Sequence, residues 1–106
     1  MLLLQGCVTP IGFDEPSEVK RQDAIVRAAA REDRSAETMR GLIRQLDSPD
    51  SATRFLAIKT LERLTGRNFG YDYAEPAWKR EPAVRAWVDW YEQEYGSDTD
   101  TEADHG

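Results

Sequence analysis

The chain is short of the side chains that most enzyme active sites use. Among its 106 residues it has one cysteine, Cys7, and one histidine, His105. A single cysteine excludes an intrachain disulfide, and His105 lies in a tail too polar to hold it in a fixed position. Gly66 and Gly70 are not followed by the Lys-Ser or Lys-Thr pair of a phosphate-binding loop. We therefore expect no enzyme activity, and no catalytic residue, metal ion or cofactor.

Two loop carboxylates are the strongest exception to that expectation. Asp72 and Glu75 are close together in the sequence and could bind a cation or act as an acid and a base. Loop carboxylates are far more often solvated or bonded to nearby backbone N–H groups. We therefore expect Asp72 and Glu75 to be solvated or capping carboxylates and not catalytic residues.

Long apolar runs and excess positive charge are also missing. No stretch approaches the roughly 20 apolar residues of a membrane-spanning helix. The 14 Lys and Arg residues are outnumbered by 20 Asp and Glu residues, which gives a net charge of −6. Proteins bind DNA and RNA through clustered Lys and Arg, whereas acidic neighbours here separate the basic residues. We expect no nucleic-acid partner.

Much of the negative charge lies at the carboxyl end. Four acids (Asp98, Asp100, Glu102 and Asp104) leave the rest of the chain with only −2 of the net −6. Residues 96–106 contain no apolar side chain larger than alanine, and such a composition cannot offset the entropy lost on ordering. We expect 96–106 to be a disordered acidic tail.

The clearest positive feature is a repeat with a period of 33 residues. The residues Asp14, Pro16, Arg21, Ala24 and Ile25 recur as Asp47, Pro49, Arg54, Ala57 and Ile58. A fixed period of this size is typical of helical solenoids, in which each unit buries its apolar face against the next. The repeat predicts an all-α fold.

Apolar spacing and capping residues predict four helices. The first begins at Ser17 or just before it, and the second follows the polar turn 32–35 with Ser35 as its cap. The third covers 51–65 and stops at Gly66; the fourth begins near Pro82 or a few residues earlier. The side chains expected to face inward on the last three helices are Met39, Leu42, Ile43, Leu46, Phe55, Ile58, Leu61, Leu64, Val84, Trp87, Val88 and Tyr91.

Residues 46–61 resemble a HEAT repeat. The turn Leu46-Asp47-Ser48-Pro49 and the helix residues Arg54, Ala57 and Leu61 match the family pattern, and residues 14–25 match it more loosely. The resemblance covers 13–95 and implies two stacked helical hairpins, a short α-solenoid. It also implies a structural ladder between the units, in which turn Asp and helix Arg side chains bond. The ladder candidates are Asp14, Arg21, Asp47 and Arg54.

A longer loop separates the last two helices and is rich in aromatic residues. Aromatic side chains bury large areas and are also common at binding interfaces, so two interpretations remain open. In one, the loop folds back as a cap, with Phe69, Trp87 and Val88 in the core. In the other, part of the loop is an interaction surface, whose candidate residues are Tyr71, Asp72, Tyr73 and Trp78. The outer faces of the second and fourth helices would extend that surface.

The amino terminus resembles a bacterial lipobox. Leu4-Gln5-Gly6-Cys7 ends in a small residue followed by cysteine, which implies a lipid anchor on Cys7. We interpret residues 1–12 as the remnant of a truncated signal peptide and a tether. The alternative is a ragged terminal element in which Cys7 packs against the fold. The Thr65-Gly66 and Phe69-Gly70-Tyr71-Asp72 segments before a Trp-rich helix strengthen a resemblance to small envelope lipoproteins with HEAT repeats.

Together these features predict a small protein-interaction or scaffold module. We expect it to be tethered as a lipoprotein in a bacterial cell envelope, with a protein partner and no membrane contact other than the anchor. The alternative is a soluble, HEAT-like accessory subunit of a lyase-type or other cytoplasmic enzyme.

The lipobox interpretation makes a direct prediction about mass. Expression from the native locus, with the upstream reading frame included, should give a chain that begins at Cys7 and carries acyl chains. Intact-mass spectrometry measures this, with Cys7→Ser as the control that should abolish acylation. An unmodified chain beginning at Met1 would rule out the anchor.

Overall fold

A computed structural model describes residues 17–96 of the chain. It contains α1 (Glu18–Arg31), α2 (Ala36–Gln45), α3 (Ser51–Thr65) and α4 (Ala77–Tyr91), and a π-helical turn, Glu92–Gly96, extends α4. No β-strand occurs within these residues, which confirms the all-α expectation. None of the helices in this range is both long and apolar enough to cross a membrane. Cys7, Asp14 and the tail acids lie outside the described residues, so the interpretations that involve them stay predictions.

Short polar side chains begin three of the four helices. Each N-cap side chain accepts a hydrogen bond from a backbone N–H of the first turn, which would otherwise lack a partner. The acceptors and donors are Ser17 Oγ with Lys20 N (3.3 Å), Ser35 Oγ with Thr38 N (3.2 Å) and Asp50 Oδ2 with Thr53 N (2.9 Å). The predicted starts at Ser17, Ser35 and Ser51 are therefore confirmed to within one residue.

Asp33 supports the start of α2 from outside the helix. Its carboxylate accepts from the backbone N–H of Ser35 at 3.0 Å and from the hydroxyl of Thr38 at 2.7 Å. These hydrogen bonds hold the pKa of Asp33 below its usual value. The turn 32–35 is thus a capping structure in which both the Asp33 carboxylate and the Ser35 hydroxyl accept hydrogen bonds at the start of α2.

The predicted stop of α3 is confirmed. Gly66 has a φ of 75°, and its N–H donates to the Glu62 carbonyl at 2.8 Å. The left-handed conformation costs glycine little because glycine has no Cβ. Glu32 ends α1 in the same conformation, with a φ of 52°, although it carries a side chain.

The core lies where α3 contacts α1 and α2 and where α2 contacts α4. The predicted row on α2 is confirmed, because Met39, Leu42 and Leu46 are completely buried and Ile43 is nearly so. The buried cluster consists of Ile25, Met39, Leu42, Ile43, Leu46, Ala57, Ile58, Leu61, Leu64, Tyr71, Ala83 and Trp87.

Equivalent positions of the 33-residue repeat occupy equivalent places in two helices. α1 begins at Glu18 and α3 at Ser51, and these positions differ by one period. The repeated pairs Ala24/Ala57 and Ile25/Ile58 are buried in both helices. The repeat therefore reflects the same spacing, in both helices, between the helix start and the buried residues.

Two residues expected in the core are exposed instead. Phe55 is 38% exposed and Val88 is 41% exposed. Each follows a buried residue, Arg54 or Trp87, and one residue along a helix turns about 100° away from the buried direction. The expectation that Val88 belongs to an aromatic cap was therefore wrong.

The fourth helix begins five residues before Pro82, where the sequence placed its start near Pro82 or a few residues earlier. It starts at Ala77, and Pro82 lies inside it. A proline at this position removes one intrahelical hydrogen bond, so the sequence favours a start at the proline itself. The buried side chains Arg80, Ala83 and Trp87 lie on both sides of Pro82, which shows that packing stabilises the helix across it.

Replacing Trp87 with alanine should lower the free energy of unfolding by about 3–5 kcal/mol, because Trp87 is fully buried. Chemical denaturation followed by circular dichroism measures the change. The matched control is Trp78→Ala on the same helix, where the side chain is 70% exposed; it should change stability by less than about 0.5 kcal/mol. Equal effects at both positions would contradict the core assignment.

Candidate interaction surface

The loop between α3 and α4 has a tight turn at its centre. Phe69 has a φ of 59° and Gly70 has a φ of 76°. A left-handed conformation is unfavourable for a residue with a side chain. The Phe69 ring packs edge-on against Trp87, with ring centroids 4.7 Å apart, and this contact helps to offset the strain.

Tyr71 anchors the loop to the core. It is 5% exposed, and its hydroxyl donates to the Leu46 carbonyl at 2.6 Å. Burial raises the pKa of the Tyr71 hydroxyl to about 12, although Arg80 and Arg54 oppose that shift. Tyr71 was a candidate for the interaction surface; its burial removes it from any surface that a partner could reach.

Two buried arginines hold the rest of the loop. Arg54 donates from Nη1 to the Ser48 carbonyl at 2.7 Å and from Nε to the Tyr73 carbonyl at 3.1 Å. Arg80 donates to the Glu75 carbonyl at 2.6 Å. Each guanidinium therefore fixes a loop carbonyl that lacks a helical partner. The loop is fixed to α3 and to α4.

Tyr73 and Phe55 form an exposed aromatic pair. Their ring centroids are 5.0 Å apart at an interplanar angle of 66°, and Tyr73 is 37% exposed. Lys59 Nζ lies 5.8 Å from the centroid of the Phe55 ring. Sequence reasoning missed Phe55 as a surface residue because its spacing of three from Ile58 placed it in the inward row.

Trp78 is the most exposed of the aromatic candidates. It lies in the first turn of α4 and is 70% exposed, and Lys79 Nζ is 5.4 Å from its ring centroid. Lys79 also pairs with Glu75 at 3.6 Å. We call Phe55, Tyr73 and Trp78 the exposed aromatic set; the structure does not bury any of the three.

Asp72 is exposed beside this set and has a local structural contact. Its Oδ1 accepts from the backbone N–H of Ala74 at 2.9 Å, as turn aspartates commonly do. Within residues 17–96, no group of three or more His, Cys, Asp or Glu side chains could hold a metal ion. The contacts of the two carboxylates are a hydrogen bond from the Ala74 backbone N–H to Asp72 and an ion pair between Glu75 and Lys79.

The structure describes three of the four ladder candidates, and the ladder itself stays a prediction because Asp14 is not among the described residues. Arg54 bonds to carbonyls, as described above, and Arg21 pairs with Glu18 on its own helix. Asp47 is exposed, and Asp14 lies outside the described residues. The contacts of Arg54 identify it as a structural residue of the loop.

Polar contacts between α1 and α3 involve residues that sequence reasoning missed. The Thr53 hydroxyl lies between two carboxylates, 2.7 Å from Glu18 Oε1 and 2.9 Å from Asp50 Oδ2, and its one proton can bond to either of them. The side-chain amide of Gln22 donates to Asp50 Oδ2 at 3.1 Å. Backbone and side-chain bonds from Thr53, together with Gln22, hold the pKa of Asp50 below its usual value despite partial desolvation. Asp50 thus joins the cap of α3 to the neighbouring helix. Only its position before α3 could have suggested this role.

No protein-family model, curated protein or solved structure matches this chain.

The contacts of Arg54 predict that even the conservative substitution by lysine lowers the stability of the fold. Arg54→Lys keeps the charge but replaces the two nitrogens that reach the two carbonyls with one, so the free energy of unfolding should fall by about 1–3 kcal/mol. Urea denaturation measures it. The matched control on the same helix is Arg63→Lys, whose ion pair with Glu32 at 3.7 Å is exposed and should matter by less than about 0.5 kcal/mol. An Arg54→Lys protein of unchanged stability would show that the fold does not depend on the two bonds.

Proposed function

We propose that this chain is a small, non-enzymatic protein-interaction module that binds a protein partner through the exposed aromatic set. The observation that carries the proposal is the position of Trp78. A tryptophan with 70% of its side chain exposed leaves a large apolar ring in water. Tryptophan is among the residues that contribute most to binding energy when a partner covers it.

The segment that presents these rings is held in place before any partner arrives. Tyr71, Arg54 and Arg80 bind the loop to the core, as described above, and Trp78 begins a helix. A surface that is already ordered loses less conformational entropy on binding. The fixed loop therefore favours recognition by a preformed surface.

Charged residues of both signs surround the rings. Lys59 and Lys79 lie over Phe55 and Trp78, and they form ion pairs with Glu62 at 3.4 Å and with Glu75 at 3.6 Å. An apolar centre with a polar rim is the usual composition of a protein–protein interface. We infer a partner that supplies an apolar pocket or groove for Trp78.

The repeat architecture of the module is part of the same proposal. We propose that its helices form two HEAT-like units. The starts of α1 and α3 one period apart support it, as does the packing of α1 on α3. The longer connection between α3 and α4 would then be an elaboration of the second unit that carries the binding residues.

We further propose that Cys7 tethers the module to a bacterial envelope membrane as a lipoprotein. The sequence Leu4-Gln5-Gly6-Cys7 supports this location. A role as an accessory subunit of a cytoplasmic enzyme would use the same aromatic surface but would require an unlipidated Cys7. The mass of the mature chain separates the two locations.

Site-specific photocross-linking in cells tests the binding surface. A photoreactive phenylalanine analogue at position 78 should give cross-links to one discrete protein, identified by mass spectrometry. The same analogue at Val26, which is 51% exposed on α1, is the matched control and should give none to that protein. The same partner should be lost when Trp78→Ala is combined with the analogue at position 73.

Equal cross-linking from positions 78 and 26 would mean that exposure alone explains the products. Absence of any specific product at 78, in a protein with normal stability, would reject Trp78 as the binding residue. The Trp78→Ala stability control described above distinguishes a lost contact from a lost fold.

A further inference from the structure

The packing of α1 on α3 shows which side of α1 a following helix covers. Gln22 on α1 donates from its side-chain amide to Asp50 Oδ2 and to Thr53 Oγ1, both at 3.1 Å, at the start of α3. Glu18 lies on the same side of α1, one turn before Gln22, and its Oε1 is 2.7 Å from the Thr53 hydroxyl. Glu18 and Gln22 therefore mark the side of α1 that receives the first turn of the next helix.

The corresponding side of α3 carries an aromatic ring. Ser51 and Phe55 stand one repeat period after Glu18 and Gln22. Because equivalent positions of α1 and α3 are buried alike, these two residues face away from α1. Both are exposed, and the Phe55 ring packs edge-on against Tyr73. On this side, α3 therefore presents an aromatic pair where α1 makes a polar contact with the next helix.

The opposite side of α1 has a different chemistry. On α3 that side meets α1, and it carries Thr53 and Thr60, which lie about two turns apart and are both buried. One period earlier, the equivalent positions of α1 are Lys20 and Arg27, which are exposed and charged. The terminal face of a stack of repeats is polar. The outer side of α1 has this terminal character, whereas the outer side of α3 is aromatic.

We propose that the side of α3 that carries Phe55 binds an amphipathic α-helix of a different protein, which packs on α3 as α3 packs on α1. This inference rests on the proposed function, because Phe55 and Tyr73 belong to the exposed aromatic set. The first turn of the partner helix lies against Phe55, since the first turn of α3 lies against the equivalent residue, Gln22. An apolar side chain of that turn packs on the rings, as in other cases of an amphipathic helix on an apolar surface.

A second copy of the chain fits this side poorly. If copies stacked end to end, the outer side of α1 would cover Phe55. Lys20 and Arg27 would then approach Lys59, whose Nζ already lies 5.8 Å from the centroid of that ring. Like charges at an interface repel each other, and removing the ion pair between Arg27 and Asp23 from water adds a further cost. The side is therefore suited to a different protein.

Photocross-linking in cells at two positions of α3 tests for the helix. The photoreactive phenylalanine analogue replaces Ser51 in one protein and Lys59 in another; both side chains are exposed, and the two positions flank Phe55. They are separated by about 12 Å along α3, because each helical residue adds about 1.5 Å. A partner helix beside α3 should be cross-linked at residues about eight positions apart, whereas an extended segment would be cross-linked about four positions apart. Mass spectrometry of the cross-linked peptides locates these residues.

A substitution at the centre of the contact gives a quantitative check. Phe55→Ala should lower the yield of the cross-link from position 51 by about fivefold or more, because an aromatic residue at the centre of an interface contributes much of the binding energy. Arg27→Ala is the matched control on the outer side of α1 and should leave the yield unchanged. Chemical denaturation establishes that both variants are folded. Equal yields from the two variants would overturn the proposal.

The analogue at position 78 separates this inference from the proposed function. Cross-links from 51, 59 and 78 to one protein, with the sites from 51 and 59 about eight residues apart, support the partner helix. Cross-links from 78 without those from both 51 and 59 overturn the helix and leave the proposed function intact. No specific product at 78 rejects both. A spacing nearer to about four residues would identify an extended segment, and a cross-linked dimer of the chain would identify a second copy; either result overturns the inference.

Discussion

The burial of Trp87 is the contact on which the second half of the structure depends. Its ring packs edge-on against both Phe69 and Trp90, and its N–H donates to the Asn68 carbonyl. One side chain on α4 therefore fixes the loop backbone, the strained Phe69 and the position of the helix end. The loop keeps its conformation because the Trp87 indole packs against it. The buried Trp87 ring therefore stabilises the loop and the helix that carry Tyr73 and Trp78.

The sequence predicted the helices well where local signals agree. Capping residues such as Ser17 and Ser35 and the terminating Gly66 act within one turn of the chain, so their effects can be inferred without knowledge of the tertiary fold. The apolar row of α2 was equally clear, since its period matches one helix face. The class of fold and the helix starts of α1 to α3 therefore followed from local physics.

The candidate site was harder to predict because it depends on contacts between distant segments. Tyr71 and Tyr73 are the same residue type two positions apart, yet their environments differ. The Tyr71 hydroxyl donates to the Leu46 carbonyl at the end of α2, whereas the Tyr73 side chain is 37% exposed. A loop has no regular periodicity from which burial can be inferred, so the sequence could not show which of the two tyrosines is buried. The place of Pro82 inside α4 has a related explanation: packing on both sides of Pro82 outweighs the preference of proline for the first turn of a helix.

The contacts of Asp50 have a consequence for how the molecule responds to acid. One carboxylate caps α3 and also accepts from Gln22 on α1, and its pKa is held below the ordinary value. Such a group stabilises the fold above the pKa of the unfolded chain, and its contribution disappears as the pH falls through the lower, folded pKa. Protonation would then weaken a helix start and a helix–helix contact in a single event. Acid would therefore weaken the start of α3 and its polar contact with α1 at the same time.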